Sequence, residues 1–352
     1  MKLRKIGYTS TAPLNTCISL LRVLSFITMK VKNKINKSNV KFDLNPRWYD
    51  YFFLLRPILW IPVWTFLFLG YFWGSALETF SFTLFLPWKF WAVFFLYSLM
   101  MSSVYIINQI VDWESDLINN KLFLIPYNII SIRTATSYAI ILALISLIFA
   151  YFLGIKLVIL FIFSYLLGLA YSIKPVELKA RPIADMLANA IGYGVLAFLT
   201  GWATAAEVQG RAFIQSFGYV LFVSAVFINT TIPDIHGDQA AGKHTIGVFL
   251  GARNATILSS ILLFLSFIYS FLEFDVFLMI PSLIGLPIFI MSIWDKSMQM
   301  AKISYRAVSF LFVLMVALRF PLFLVLGVLI LILLRIYYTK RFLINYPSLT
   351  GR

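Results

Sequence analysis

The sequence predicts an all-α fold, a polytopic transmembrane bundle of about nine to ten helices. Three observations predict it. Apolar residues make up 61% of the 352 residues and charged residues 12%, against roughly 45–50% and 25% in soluble globular chains. Eight windows of 17 residues or more lack Asp, Glu, Lys and Arg, and about 17–25 apolar residues cross a bilayer as a helix. The windows are continuous apolar runs without alternation, which argues against closed strands. A soluble core of this size needs no such apolar surface, and a disordered chain could not carry it.

The elements follow in order. The eight windows are 57–77, 90–111, 134–155, 157–173, 186–206, 212–233, 254–272 and 276–294. Two shorter ones, 307–318 and 320–334, are separated by Arg319, with Pro321 just after it. They read as two helices with snorkelling arginines or as one long broken helix. Basic residues orient the bundle. Residues 1–56 hold eleven Lys/Arg and are expected to be cytoplasmic. Loops after even-numbered helices then carry ten Lys/Arg, and loops after odd-numbered ones carry only Lys89, Lys156 and Arg211. A basic C-terminus favours ten crossings. Residues 1–45 read as a basic extension, flexible or targeting. Residues 46–340 form the membrane domain and 341–352 a basic tail.

Composition narrows the chemistry. Cys17 is the only cysteine and His236 and His244 the only histidines, so thiolate clusters are excluded and any metal should be held by oxygen. The net charge of +15 fits basic loops facing anionic headgroups better than nucleic acid.

Two acidic clusters stand out among fourteen acids. Asn108, Asp112 and Asp116 lie at the end of the second window, and Asp234 and Asp238 at the end of the sixth. Hydropathy puts both at one membrane face. Residues four apart share a helix face, so each cluster forms a polar row. Paired carboxylates at a bilayer edge repel each other, and a divalent cation reverses that sign. Mg²⁺ favours one or two carboxylates with waters and phosphate oxygens. Two facing pairs suit two Mg²⁺ ions with a diphosphate between them. Asp112 to Asp234, Asp116 to Asp238 and Lys121 to Lys243 are each offset by 122. This faint repeat predicts related halves, about 56–173 and 183–294, followed by C-terminal helices over 304–338.

One acidic cluster could merely cap a helix end. Two of equal spacing on one face read as functional, because polar residues at membrane depth usually are. Glu114 points off the row and reads as structural, as do Glu177 and Asp185. In the loop after the fourth window, Lys174, Lys179 and Arg181 are either ordinary positive-inside charge or a clamp for diphosphate. Lys121, Lys243 and Arg56 carry the same two readings.

These residues together resemble the UbiA superfamily of membrane prenyltransferases. The resemblance runs from about Arg56-Pro57 to Trp294 and rests on Asn108-x3-Asp112-x3-Asp116, Asp234-x3-Asp238 and the Tyr171-Ser…Leu-Lys179 loop. It implies helices around a central cavity and Mg²⁺-dependent transfer of a prenyl group from an isoprenoid diphosphate to a lipophilic acceptor. It further implies that Asp112, Asp116, Asp234 and Asp238 hold the metals. Asn108 would support the first site, and Tyr171, Lys174, Lys179, Arg56, Lys121 and Lys243 would contact diphosphate or acceptor. Asn108-Gln109 and Ile232-Pro-Asp-Ile-His-Gly-Asp238 look like homogentisate prenyltransferases. The Tyr171…Lys179 loop with Asp185 looks more like chlorophyll synthases and carotenoid elongases. Lys121-Leu-Phe-Leu-Ile-Pro126 stands where many members have an Arg-Pro pair. The rival readings are an ion-coupled transporter and an inactive scaffold. Acids at helix ends oppose the first, and four intact aspartates oppose the second.

Overall fold

The computed structural model describes residues 42–75, 77, 83–118, 122–240, 244–295 and 298–347. Most of the N-terminal extension, Lys121 and Lys243 lie outside the described residues.

Ten long helices carry the fold. They are α1 (Trp60–Gly74), α2 (Trp88–Val111), α3 (Ile132–Leu153), α4 (Ile155–Ser172), α5 (Pro182–Trp202), α6 (Gly210–Thr231), α7 (Ile246–Leu272), α8 (Val276–Met291), α9 (Gln299–Arg319) and α10 (Pro321–Phe342). Among the described residues, nine spans are long and apolar enough to cross a membrane. The remaining helix, α8, has 16 residues with Pro281 and Pro287 inside it. It still reaches about 24 Å at 1.5 Å per residue.

Sequence chemistry sets the helix ends. Pro182 and Pro321 open α5 and α10 at a position where a missing N–H costs nothing. Ser131 Oγ accepts the Thr134 N–H at the start of α3. Asp275 Oδ1 accepts the Phe277 and Leu278 N–H groups at the start of α8.

The last two short windows form two separate helices, α9 and α10, with Phe320 non-helical between them (φ −124°, ψ 83°). Arg319 does not snorkel. It is buried, stacks over Phe72 and Phe320, and donates to Thr83 Oγ1. At the opposite face, Arg341 at the end of α10 pairs with Asp50, which precedes α1. Chain segments before the first helix and at the end of the last thus meet at one face of the bundle. Arg341, assigned by sequence to the basic tail, belongs to this buried junction.

The 122-residue offset extends beyond the acids. Two short helices, Trp113–Ile118 and Ile235–Ala240, follow α2 and α6 and differ by that offset at both ends. Packing repeats too, with α2 along α3 and α6 along α7.

Between the halves, α1 crosses α5 at two glycines. A Cβ on Gly70 would lie 1.8 Å from the Phe198 carbonyl oxygen, and one on Gly201 would lie 2.0 Å from that of Leu67. Only glycine lets the two backbones approach this closely. Polar groups tie the remaining helices. Trp60 and Trp64 indoles donate to Ser102 and Ser98 Oγ at 2.9 and 2.8 Å, joining α1 to α2. In the second half, Asn229 Nδ2 donates to Ser304 Oγ at 2.8 Å, joining α6 to α9. Helix α5 is interrupted by a π-helical stretch, Ile191–Ala197. Such bulges mark functional sites often enough to direct attention to Tyr193, its one aromatic residue.

Candidate active site

The helix that carries Asp112 breaks at that residue. Asp112 caps α2 (φ −92°, ψ 6°), and its N–H still donates to the Asn108 carbonyl at 2.9 Å. One turn on, the Asp116 N–H donates to the Asp112 carbonyl at 2.9 Å. In the second half, the Asp238 N–H donates to the Asp234 carbonyl at 2.8 Å. Each aspartate pair therefore sits one helical turn apart, as the spacing predicts.

Lys179 Nζ donates to Asp112 Oδ1 at 2.5 Å, with the lysine side chain 17% exposed and the carboxylate 33%. Asn108 Nδ2 donates to Asp112 Oδ2 and to Ser172 Oγ, both at 3.1 Å. The first carboxylate is thus held from both sides. A neutral or basic residue at 112 would leave the Lys179 ammonium unpaired in a partly buried place, which is costly. Asp234 is exposed, and Asp238 accepts from Thr245 Oγ1 at 3.1 Å.

Asp185 links the clusters. This buried acid of α5 lies against the Tyr171 hydroxyl and within electrostatic reach of both Lys179 and Asp238. Asn189, one turn further, donates to Asp185 Oδ1 at 3.4 Å, and Tyr171 also meets Asn189. Sequence reasoning set Asp185 aside and passed over Asn189. The signal was present, because they are two polar residues four apart at the start of an apolar window, like the aspartate rows.

Arg56 stands opposite. Its guanidinium donates to Asn108 Oδ1 at 3.5 Å, the long limit of a hydrogen bond, and its Nε is buried without a partner. The backbone at Arg56 is left-handed (φ 55°, ψ 58°). Pro57 already disfavours the right-handed helical region at this position. A left-handed arginine costs about 1–3 kcal/mol and persists where its surroundings enforce it. Lys174 is not brought in. Its side chain is 80% exposed and its nearest acid is Glu177 at 4.0 Å.

Below this polar rim lies a cavity of about 280 Å³. Arg56, Asn108, Tyr171, Ser172 and Asn189 line its polar end, and Val63, Met101, Val104, Leu167 and Ala197 its apolar depth. Three rings, Tyr97, Tyr105 and Tyr193, face it. No sequence signal separates these three from the 62 aromatic residues of the chain. A second cavity of about 180 Å³, beside α6 and α9, shares Asn189 and Tyr193 with the first. The Tyr193 ring therefore stands between two chambers, one flanked by each half.

Among the described residues, no three of His, Cys, Asp and Glu gather tightly enough to cage an ion. The arrangement is instead two one-turn aspartate pairs at one face, with cations beside them and an apolar chamber beneath. That combination defines a membrane protein suited to a substrate with an anionic head and an apolar tail.

The comparisons with known proteins agree. The UbiA prenyltransferase family model matches residues 59–305, and the chain belongs to that family. Digeranylgeranylglyceryl phosphate synthase of Pyrococcus furiosus is 32% identical over 175 residues, covering 48% of this chain and 59% of that protein. A probable homogentisate phytyltransferase 2 of Oryza sativa is 31% identical over 172 residues, covering 46% and 45%. The chain thus spans about half the length of the curated relatives it matches. A solved UbiA homologue from Archaeoglobus fulgidus, bound to GPP and Mg²⁺, superposes with TM-score 0.59 at 21% identity, covering 76% of this chain and 97% of that one. At that identity the likeness establishes the fold.

Proposed function

We propose that this protein transfers a prenyl group from an isoprenoid diphosphate to a lipophilic, aromatic acceptor and releases diphosphate, using Mg²⁺. One observation carries the reading. Lys179 pairs with Asp112 of the first row, and Asp185 lies within electrostatic reach of Lys179 and of Asp238 in the second, beside the Tyr171 and Asn189 that line the polar end of an apolar cavity. The GPP and Mg²⁺ in the Archaeoglobus homologue support it.

The residues fit the ion. Asp112, Asp116, Asp234 and Asp238 would hold it, and the Lys179 ammonium beside Asp112 supports a cation-binding role for this carboxylate. Mg²⁺ commonly uses few protein ligands and completes its shell with waters and phosphate oxygens. When bound, it would neutralise charge on the leaving diphosphate. Lys179 and Arg56 would take diphosphate oxygens, strengthening contacts as charge develops there. The apolar chamber would keep water from the allylic cation, and the rings of Tyr97, Tyr105 and Tyr193 that line it would stabilise the cation through their π systems. The Asp185 carboxylate would receive the proton that the acceptor loses, with the Tyr171 hydroxyl taking it up as it gives its own proton to Asp185.

The test is a transfer assay on purified protein with labelled geranylgeranyl diphosphate, in Mg²⁺ or EDTA. The acceptor panel comprises homogentisate, 4-hydroxybenzoate, dihydroxynaphthoate, chlorophyllide and geranylgeranylglyceryl phosphate. A labelled lipid should form from an aromatic acceptor in Mg²⁺. In EDTA it should fall to background, and excess Mg²⁺ should restore it. Product from the glyceryl phosphate alone would replace the aromatic assignment, and absence of diphosphate release from every donor length would refute transfer.

A further inference from the structure

We propose that α10 and the chain after it hold Arg56 in place at the site, with Asp50, Arg341, Tyr338 and Tyr346 as positioning residues for the diphosphate contact. The inference rests on the transfer reading above and adds to it a role for the last helix.

Arg56 is poorly held by its own neighbours. Its bond to Asn108 is long, its Nε is buried and unpaired, and its backbone is left-handed. Among the described residues, α10 approaches it from the remaining side. The turn Pro57–Leu59 packs against α10. Tyr338 and Tyr346 lie within electrostatic reach of the Arg56 guanidinium, and their rings contact each other at 4.8 Å.

The segment leading to Arg56 is fastened to the same helix. Asp50 is fully buried and accepts from Arg341 Nε and Nη2, both at 3.2 Å, and from the Tyr337 hydroxyl at 2.8 Å. Arg341 also donates to the carbonyls of Asp43 and Asn45, both at 2.7 Å. The Phe53 ring stacks on Tyr337 at 3.6 Å. From the other side, Gln109 Nε2 donates to the Leu54 carbonyl at 3.0 Å. The short helix Asp50–Leu54 is thereby clamped between α10 and α2, two residues before Arg56.

A helix that served only as an anchor would have no use for this junction. Much of α10 is apolar and exposed, as at Leu324, Val325 and Ile332. Buried ion pairs are weak contributors to net stability, and their best-attested use is to specify one geometry. Here the geometry specified is that of the backbone entering Arg56.

The experiment titrates inorganic diphosphate in Mg²⁺ into the full-length protein and measures steady-state transfer beside it. The variants are Asp50→Asn with Arg341→Gln, which keeps a neutral hydrogen-bonding pair, and the mild changes Tyr338→Phe and Tyr346→Phe. The paired variant should weaken diphosphate affinity and raise KM for the allylic diphosphate about tenfold, with kcat within about threefold. On an Arg56→Gln background the same changes should cost nothing further, because coupled residues are non-additive. Lys340→Gln, on the exposed side of α10, should match the wild type. Unchanged affinity with a lowered melting temperature would overturn the proposal, as would full additivity with Arg56→Gln. Should the paired variant fail to fold, unaltered affinity in both tyrosine variants overturns it. Wild-type protein that binds diphosphate but transfers nothing would refute the transfer reading and leave the positioning result to stand or fall on the affinities. Wild-type protein that binds no diphosphate overturns both.

Discussion

Asp112→Asn and Asp234→Asn should each give a folded protein whose Mg²⁺-dependent transfer is slowed about a thousandfold. Removing one preorganised electrostatic contact commonly costs about 10²–10³ in kcat, and losing a carboxylate that holds a metal also removes the metal's own contribution. Asp112 faces Lys179 and Asn108 at a helix end, and Asp234 is exposed at the matching end in the second half. Neither side chain packs in the apolar core, so both variants should fold, with Asp234→Asn melting close to wild type in detergent and Asp112→Asn, which leaves Lys179 unpaired, melting somewhat lower. Activity within tenfold of wild type in either variant would remove the aspartate rows from the chemistry.

Gly201→Ala and Gly70→Ala should be the most disruptive single methyl groups among the described glycines. The Cβ at position 201 would lie 2.0 Å from the Leu67 carbonyl oxygen, and that at position 70 would lie 1.8 Å from that of Phe198. Both obstacles are helix backbone, which cannot swing aside as a side-chain tip can. The helices must part, and overpacking of this kind costs about 3 kcal/mol or more. Since α1 and α5 also wall the cavity through Val63 and Ala197, activity should fall with stability. Gly327→Ala in α10 meets nothing within 4 Å. It should be neutral or stabilising, because alanine is the better helix former. Thermal unfolding of the three variants in detergent checks the contrast, and a Gly201→Ala protein melting with the wild type would contradict it.

The parts legible in the sequence are those that one-dimensional patterns encode. Charge-free windows located all ten long helices, because a lipid-facing backbone must satisfy its own hydrogen bonds over the full bilayer. The offset of 122 between Asp112 and Asp234 also gives both ends of the short helices that follow them. What stayed hidden depends on which side chains meet across helices. Lys174 and Lys179 look equivalent in one basic loop. The left-handed turn at Glu177 separates them, so one faces Asp112 and the other faces outward. Arg341 looked like tail charge, because nothing in its neighbourhood announces a partner 291 residues away at Asp50. Tyr193 could be singled out only by the π-helical stretch that presents it between two cavities.

Asp112 caps α2 and Asp234 lies just past the end of α6, and among the described residues no charged side chain lines the deeper part of the cavity. Moving an elementary charge through the full thickness of an energised membrane costs about 2.3 kcal/mol per 100 mV. Ions and diphosphate that reach a rim at one face traverse almost none of that drop. Turnover at such a rim is electrically silent, so its rate would hold steady whether the membrane is polarised or collapsed.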